Sequence, residues 1–223
     1  MKARLTEDVM ALRAVKEFSD GDCVNLGTGL PLLCSLYVPE GKDIFFEAEN
    51  GVLGYGQVLG EEDWKKADFD LVDAGFRPVD RKPGMSFFDM AFSFDLIRGG
   101  HLDATVLGGL EVSEKGDLAN WTRGAPEEGG IGGAMDLPVA TKRVIILMTH
   151  TTNDGRPKIV KTCKFPLTAK ECVHLIITDI AVIEVTRNGL VLKEFAPGWT
   201  PEEVQALTEP KLIIADNVKE IEL

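Results

Sequence analysis

A glutamate at position 49 closes the run Phe45-Phe46-Glu47-Ala48, and Asn50-Gly51 follows it directly. The apolar residues have strand character, and Asn-Gly turns the chain abruptly. A carboxylate placed where a buried strand gives way to a turn lies where open α/β folds gather their reactive groups. Desolvating an unpaired carboxylate is costly, so most carboxylates face water. A glutamate held in such a place could act as a nucleophile toward an activated acyl group. The plainer reading of the same residues is an acid beside a type I′ turn, with Gly51, Gly54 and Gly56 present for backbone geometry alone.

Two other glycine-bearing stretches could serve acyl chemistry. In Asn25-Leu26-Gly27-Thr28-Gly29-Leu30-Pro31 the glycines let a backbone approach a ligand closely. Pro31 marks a helix start, whose free N–H groups suit an anion or oxyanion. The stretch lacks the third glycine of a dinucleotide fingerprint and the lysine of a P-loop, which excludes both. Taken alone, it reads as a strand-to-helix turn. Gly129-Gly130-Ile131-Gly132-Gly133-Ala134-Met135-Asp136 supplies backbone donors that no side chain shields, as an oxyanion site requires. Taken alone, it reads as a flexible surface loop.

The elements that must hold these loops are legible as alternating patterns. Val9, Leu12, Val15 and Phe18 recur at helical spacing and Gly21 ends them. Short apolar or β-branched runs at Cys23–Leu26, Ile44–Ala48, Leu71-Val72, Ala104–Leu107, Val144–Met148 and Leu175–Thr178 predict strands. A helix is expected over Phe87–Ile97, stopped by Gly99-Gly100. Continuous apolar strands separated by helices indicate an open, largely parallel α/β sheet covered on both faces. Near the C-terminal end, Ala181–Thr186 and Leu190–Phe195 flank Arg187-Asn188-Gly189 and predict a β-hairpin. Without a linker-like or repetitive tract, residues 1–223 are expected to form a single domain.

Composition excludes several classes of partner. Of the 223 residues, 36 are acidic and 24 are Lys or Arg, a formal charge of −12 that argues against nucleic acid or an anionic membrane as the main partner. The four cysteines, Cys23, Cys34, Cys163 and Cys172, include no C-x-x-C pair, and reduced thiols are expected. His101, His150 and His174 are scattered and show no metal-ligand spacing. No apolar run approaches spanning length, and acids appear early in Met1–Asp8, so a cytoplasmic protein without a secretory leader is expected.

The order of the motifs carries more than any one of them. Asn25-Leu26-Gly27-x-Gly29-Leu30-Pro31, Glu49-Asn50-Gly51-x-Leu53-Gly54-x-Gly56 and Ser86-Phe87-Phe88-Asp89 come first. Ile97-Arg98-Gly99-Gly100-His101-x-Asp103, Gly116–Trp121, Gly132–Leu137 and Gly155-x-Pro157-Lys158-Ile159 follow. In that order they resemble the B subunit of family I CoA-transferases, a group that includes the 3-oxoacid, acetate–acetoacetate and 3-oxoadipate enzymes. The resemblance runs from about Val9 to Pro197.

It implies the open CoA-transferase or NagB-like α/β fold and an A subunit, in a heterodimer or heterotetramer, with the active site at their contact. It also implies that Glu49 is the nucleophile, Asn25 an oxyanion donor, and Gly132 or Gly133 a second donor through its backbone N–H. Gly27, Gly29, Asn50, Gly51, Gly54 and Gly56 would line the substrate and CoA path. Glu47 is read as a structural residue behind Glu49. Arg98, His101, Lys158, Asp117 and Asp136 are read as surface, cap or structural groups. Coenzyme A would be substrate and covalent intermediate, with no permanently bound cofactor. The donor would be a 3-oxoacyl, succinyl or short-chain acyl thioester and the acceptor a free carboxylic acid. Two alternatives remain: a thioester or ring-opening hydrolase of the same superfamily, and a non-catalytic CoA- or metabolite-binding partner. Departures from the family pattern at Tyr55 and across Phe76–Lys82 bear on the acyl group rather than on the reaction.

Overall fold

The computed structural model describes residues 2–124 and 130–222. In chain order its strands are β1 (Cys23–Leu26), β2 (Phe45–Ala48), β3 (Val52–Leu53), β4 (Ser86–Phe87), β5 (Ala104–Leu107), β6 (Glu111–Ser113) and β7 (Leu118–Ala119). They continue with β8 (Val144–Met148), β9 (Ile159–Val160), β10 (Leu175–Thr178), β11 (Ala181–Thr186), β12 (Gly189–Phe195) and β13 (Leu212–Glu220). Among the described residues a ten-stranded sheet runs β13-β12-β11-β10-β8-β5-β1-β2-β3-β4, and β7-β6-β9 form a smaller one.

The middle of the large sheet is parallel: β2 pairs with β1, β1 with β5, β5 with β8 and β8 with β10. These strands are apolar throughout because both faces are covered. Along β8, Ile145 and Leu147 enter one core while Val144, Ile146 and Met148 enter the other. That is the two-residue period of a strand read out as two layers. The first core is capped by Met10, Ala11 and Ala14 of α1 (Glu7–Ala14) and by Leu32 and Cys34 of a 3₁₀ turn over Leu30–Leu36. The second takes Ile97 from α2 (Met90–Arg98), Leu137 from α3 (Leu137–Ala140) and Val112, Leu118 and Ile159 from the small sheet. Val204 of α4 (Pro201–Ala206) closes it near the C-terminal end, behind a Thr200–Glu203 capping box.

The expected α/β class, parallel core and C-terminal hairpin are present, the hairpin being β11 and β12 in antiparallel register. Two expectations shift. The helix expected from Phe87 starts at Met90, because Asp89 accepts from the Phe92 N–H as its N-cap, while Ser86 and Phe87 pair with β3. Leu71-Val72 is no strand. Val72 makes only an isolated bridge to Pro78, since the Asp73 carboxylate gathers the Gly75 and Arg77 N–H groups and turns the chain back. Because the five middle strands run the same way, Ala48, Leu26, Leu107, Met148 and Thr178 end on one edge of the sheet. Ligands of open α/β sheets bind along that edge.

Candidate active site

Glu49 is the first residue of the three-residue connection between β2 and β3, whose last ladder pair is Ala48 with Val52. The turn depends on Gly51. Its N–H donates to the Ala48 carbonyl at 2.9 Å and its carbonyl accepts from Phe88 N–H at 3.0 Å. Its φ is +106°, and a Cβ there would stand 1.9 Å from the Phe88 carbonyl oxygen. Only glycine fits both demands. The turn is thus clamped to the segment leading into α2, and Glu49 is left half-buried at the sheet edge.

Gly133 comes down onto Glu49. A Cβ at Gly133 would lie 2.7 Å from Glu49 Oε1, so the bare backbone there is what admits the carboxylate. Gly133 belongs to a 3₁₀ turn over Gly132–Met135, and the first N–H groups of such a turn have no partner within it. Gly132 itself is exposed, with a φ of +56°. Asp136, just past the turn, takes a two-point contact from Arg98 at 2.9 and 3.3 Å. Arg98 therefore anchors the glycine turn to the end of α2. Gly129, at the start of the same glycine stretch, lies outside the described residues.

Asn25 and Glu47 lie fully buried beneath Glu49. Asn25 Nδ2 donates to Glu47 Oε2 at 3.0 Å, and Asn25 Oδ1 accepts from the Thr105 hydroxyl at 3.0 Å. Glu47 Oε1 is 2.7 Å from the Ser93 hydroxyl on α2. Burial pushes the Glu47 carboxyl up to about 7, against the hydrogen bonds from Ser93 and Asn25, and the Glu49 charge pushes the same way as burial. Burial also raises Glu49 above the usual carboxylate range, opposed by its own backbone N–H and by the Asn25 side chain. The site is therefore two stacked carboxyls sharing one amide, with a glycine backbone over the outer one. Such a carboxylate is a desolvated nucleophile with hydrogen-bond donors close by.

The other glycines named from sequence hold the loops. Gly27 N–H bonds Val106 and packs on Leu107, Gly54 N–H bonds Phe46, and Gly56 N–H bonds Asp80. Gly29 stands open and exposed after β1. The Asn50 amide reaches the Val72 carbonyl at 2.9 Å and ties the 68–80 loop to the turn. Lys158 and His101 do not join the Glu49 cluster. Lys158 lines a cavity of about 470 Å³ beyond β8, where burial lowers it to about 8. His101 is exposed next to Gly99. Asp117 binds the Ser113 hydroxyl and the Glu171 N–H in the small-sheet region. Sequence reading missed Ser93 and Thr105. The available signal was Thr105 as the lone polar residue of an apolar strand; Ser93 shares its helix with Asp95 and Arg98 and gave no such signal.

This architecture is shared by solved CoA-transferases. The acyl-CoA transferase YdiF of Escherichia coli O157:H7, as apoenzyme, superposes with a TM-score of 0.77 over 100% of this chain at 20% identity. The chain spans 44% of that longer one. The Coenzyme A transferase family model matches residues 9–207, and the chain belongs to that family. Among its relatives, the beta subunit of acetate CoA-transferase from Haemophilus influenzae is 46% identical over 217 residues, covering 97% of this chain and 96% of that protein. The B subunit of 3-oxoadipate CoA-transferase from Acinetobacter baylyi is 42% identical over 215 residues, covering 95% and 97%. The chain is accordingly an enzyme subunit of CoA-transferase type. Among the described residues no helix is long and apolar enough to cross a membrane.

Proposed function

We propose that this chain is the B subunit of a CoA-transferase that works by a ping-pong mechanism through Glu49, together with an A subunit. The observation that carries the reading is the half-buried Glu49 carboxylate at the end of β2, with Asn25 beneath it and the Gly133 backbone against it. A carboxylate so placed is partly stripped of water, and the nearby amide and glycine backbone are of the kind that can serve a tetrahedral oxyanion.

The proposed steps are these. Glu49 attacks the thioester carbonyl of an acyl-CoA, the C–S bond breaks, and CoA leaves as thiolate with an acyl–glutamyl anhydride behind it. The thiolate then attacks the glutamyl carbonyl and expels the donor acid as carboxylate, leaving a glutamyl-CoA thioester. The acceptor carboxylate attacks that thioester and releases thiolate. Thiolate attack on the acyl carbon of the new anhydride yields the product thioester and free Glu49. Each addition places negative charge on a carbonyl oxygen, which the Asn25 amide and a Gly132 or Gly133 N–H would receive. The relatives' names divide between acetate and 3-oxoadipate at similar identity. The proposal therefore extends to short-chain and 3-oxoacid donors, succinyl-CoA included, and to a free carboxylic acid as acceptor.

The test is intact-protein mass spectrometry of the chain co-expressed with its A subunit and mixed with acetoacetyl-CoA or succinyl-CoA. The expected result is a CoA-sized adduct on Glu49, discharged by a carboxylic acid and absent in Glu49→Gln. Thioester consumption without an adduct or acceptor dependence would favour hydrolysis instead. Turnover that survives Glu49→Gln would end the covalent reading.

A further inference from the structure

Glu47 carries more of the site than its burial alone requires. Its carboxyl is fully enclosed, and its two oxygens meet the Ser93 hydroxyl at 2.7 Å and the Asn25 amide at 3.0 Å. The Asn25 amide is thereby fixed at both ends, since Thr105 donates to its oxygen. An amide held so cannot flip; its nitrogen also lies 3.4 Å from the Glu47 carbonyl, and its side chain reaches the Glu49 carboxylate as well. The titratable groups around Glu47 are all acids: Glu49 on the same segment, Cys23 on β1 and Tyr55 after β3. Burial, and then Glu47 itself, pushes the Cys23 thiol up to about 12. Tyr55 is raised mainly by burial, with a smaller push from Glu47. No cation among the described residues acts on Glu47.

We propose that Glu47 is a positioning residue, held as a neutral carboxylic acid that locks the Asn25 amide and leaves Glu49 as the one anion facing the substrate. The inference rests on the reading of Glu49 as nucleophile. The Ser93 hydroxyl donates to Oε1 when Glu47 is ionised. In the neutral acid that hydroxyl turns to accept from Oε1–H while Oε2 remains the acceptor for Asn25, so the lock survives protonation. A second ionised carboxylate at this depth would oppose both the Glu49 anion and the oxyanion formed beside Asn25. Burial favours the same neutral form up to about pH 7.

The experiment uses the assembled A/B complex, with Glu47→Gln, Glu47→Ala and Asn25→Ala. Steady-state kcat and KM are measured between about pH 5 and 9, beside infrared spectra of the protonated-carboxyl stretch. Glutamine keeps the shape and neutrality of the acid. The wild type should lose kcat as the pH rises through about 7. Glu47→Gln should stay within about threefold of the wild type at the acidic end and lack that fall. Glu47→Ala should lose roughly 10²-fold in kcat with acyl-CoA KM little changed, and adding Asn25→Ala should cost little more. The wild type should show a protonated-carboxyl band near neutral pH that Glu47→Gln lacks. A Glu47→Gln enzyme as poor as Glu47→Ala, or one that keeps the alkaline fall, would overturn the proposal. So would identical infrared spectra. A wild-type complex that forms no Glu49–CoA adduct would remove the nucleophile and the positioning role together. The infrared titration would then stand apart, as a test of the neutral acid alone.

Discussion

At the scale of single residues, the site combines two buried carboxyls with one amide, and the expected effects differ for each. Asn25→Ala removes an oxyanion donor and the partner of Glu47 at once. A loss of roughly 10²–10³ in kcat is expected, read by steady-state assay of the A/B complex. Glu47 has a separate signature in stability. Its folded-state pKa lies above the ordinary value of 4.5, at about 7, so the folded state favours the neutral acid. The stability that this contributes is complete below pH 4.5 and is lost as the pH rises through about 7. The difference corresponds to something on the order of 3 kcal/mol. Glu47→Gln cannot ionise, so its melting temperature should exceed that of the wild type above pH 7 and converge with it at acidic pH. Thermal melts at both ends would show it. A constant offset across pH would mean that Glu47 is not the titrating group.

Elements show where backbone geometry, rather than side-chain chemistry, sets the site. At Gly51 a positive φ coincides with a Cβ position 1.9 Å from the Phe88 carbonyl oxygen. Gly51→Ala should therefore cost about 3 kcal/mol or more, lowering the melting temperature and pulling Glu49 away from Gly133. Phe76 is the useful contrast. It also has a left-handed φ, +60°, but its side chain is 85% exposed and packs on little. Phe76→Gly should relieve about 1–2 kcal/mol of strain and add a similar entropy cost, leaving the melting temperature nearly unchanged. The same contrast explains what the sequence disclosed. The strands β1, β2, β5, β8 and β10 were legible because burial on both faces makes them continuous apolar runs. β13 was not: its residues are largely exposed and it pairs in parallel with β12, so neither alternation nor a hairpin turn announces it. Glu49, Asn25 and the Gly133 loop could be found by local motif. The Ser93–Glu47–Asn25–Thr105 network could not, because its members lie up to 80 residues apart and only the sheet order brings them together.

On the scale of the whole molecule, the surface around the site is more apolar than an isolated acidic subunit needs. Phe87 on β4, Met90 and Phe92 at the start of α2, and Met135 and Val139 near α3 are all exposed. They flank Glu49 through two contacts, Phe88 on Gly51 and the glycine turn on Glu49. β4 is also the edge strand of the large sheet. Large exposed apolar patches mark interaction surfaces, and these side chains border the proposed site. The occupant argued for is the A subunit, whose approach would also cover the open side of Glu49. Buried aromatic and Met anchors at such contacts are each worth about 2 kcal/mol or more, roughly 30-fold in Kd. The double change Met90→Glu and Phe92→Glu should thus abolish co-elution with the A subunit and, with it, turnover. Met90 and Phe92 are both exposed, and Phe92 gives up only its edge contact with the Phe88 ring, so the melting temperature of the isolated chain should fall by no more than a few degrees. If the doubly charged variant still co-elutes and turns over, the partner docks elsewhere, and the apolar rim must be explained by the acyl chain it receives.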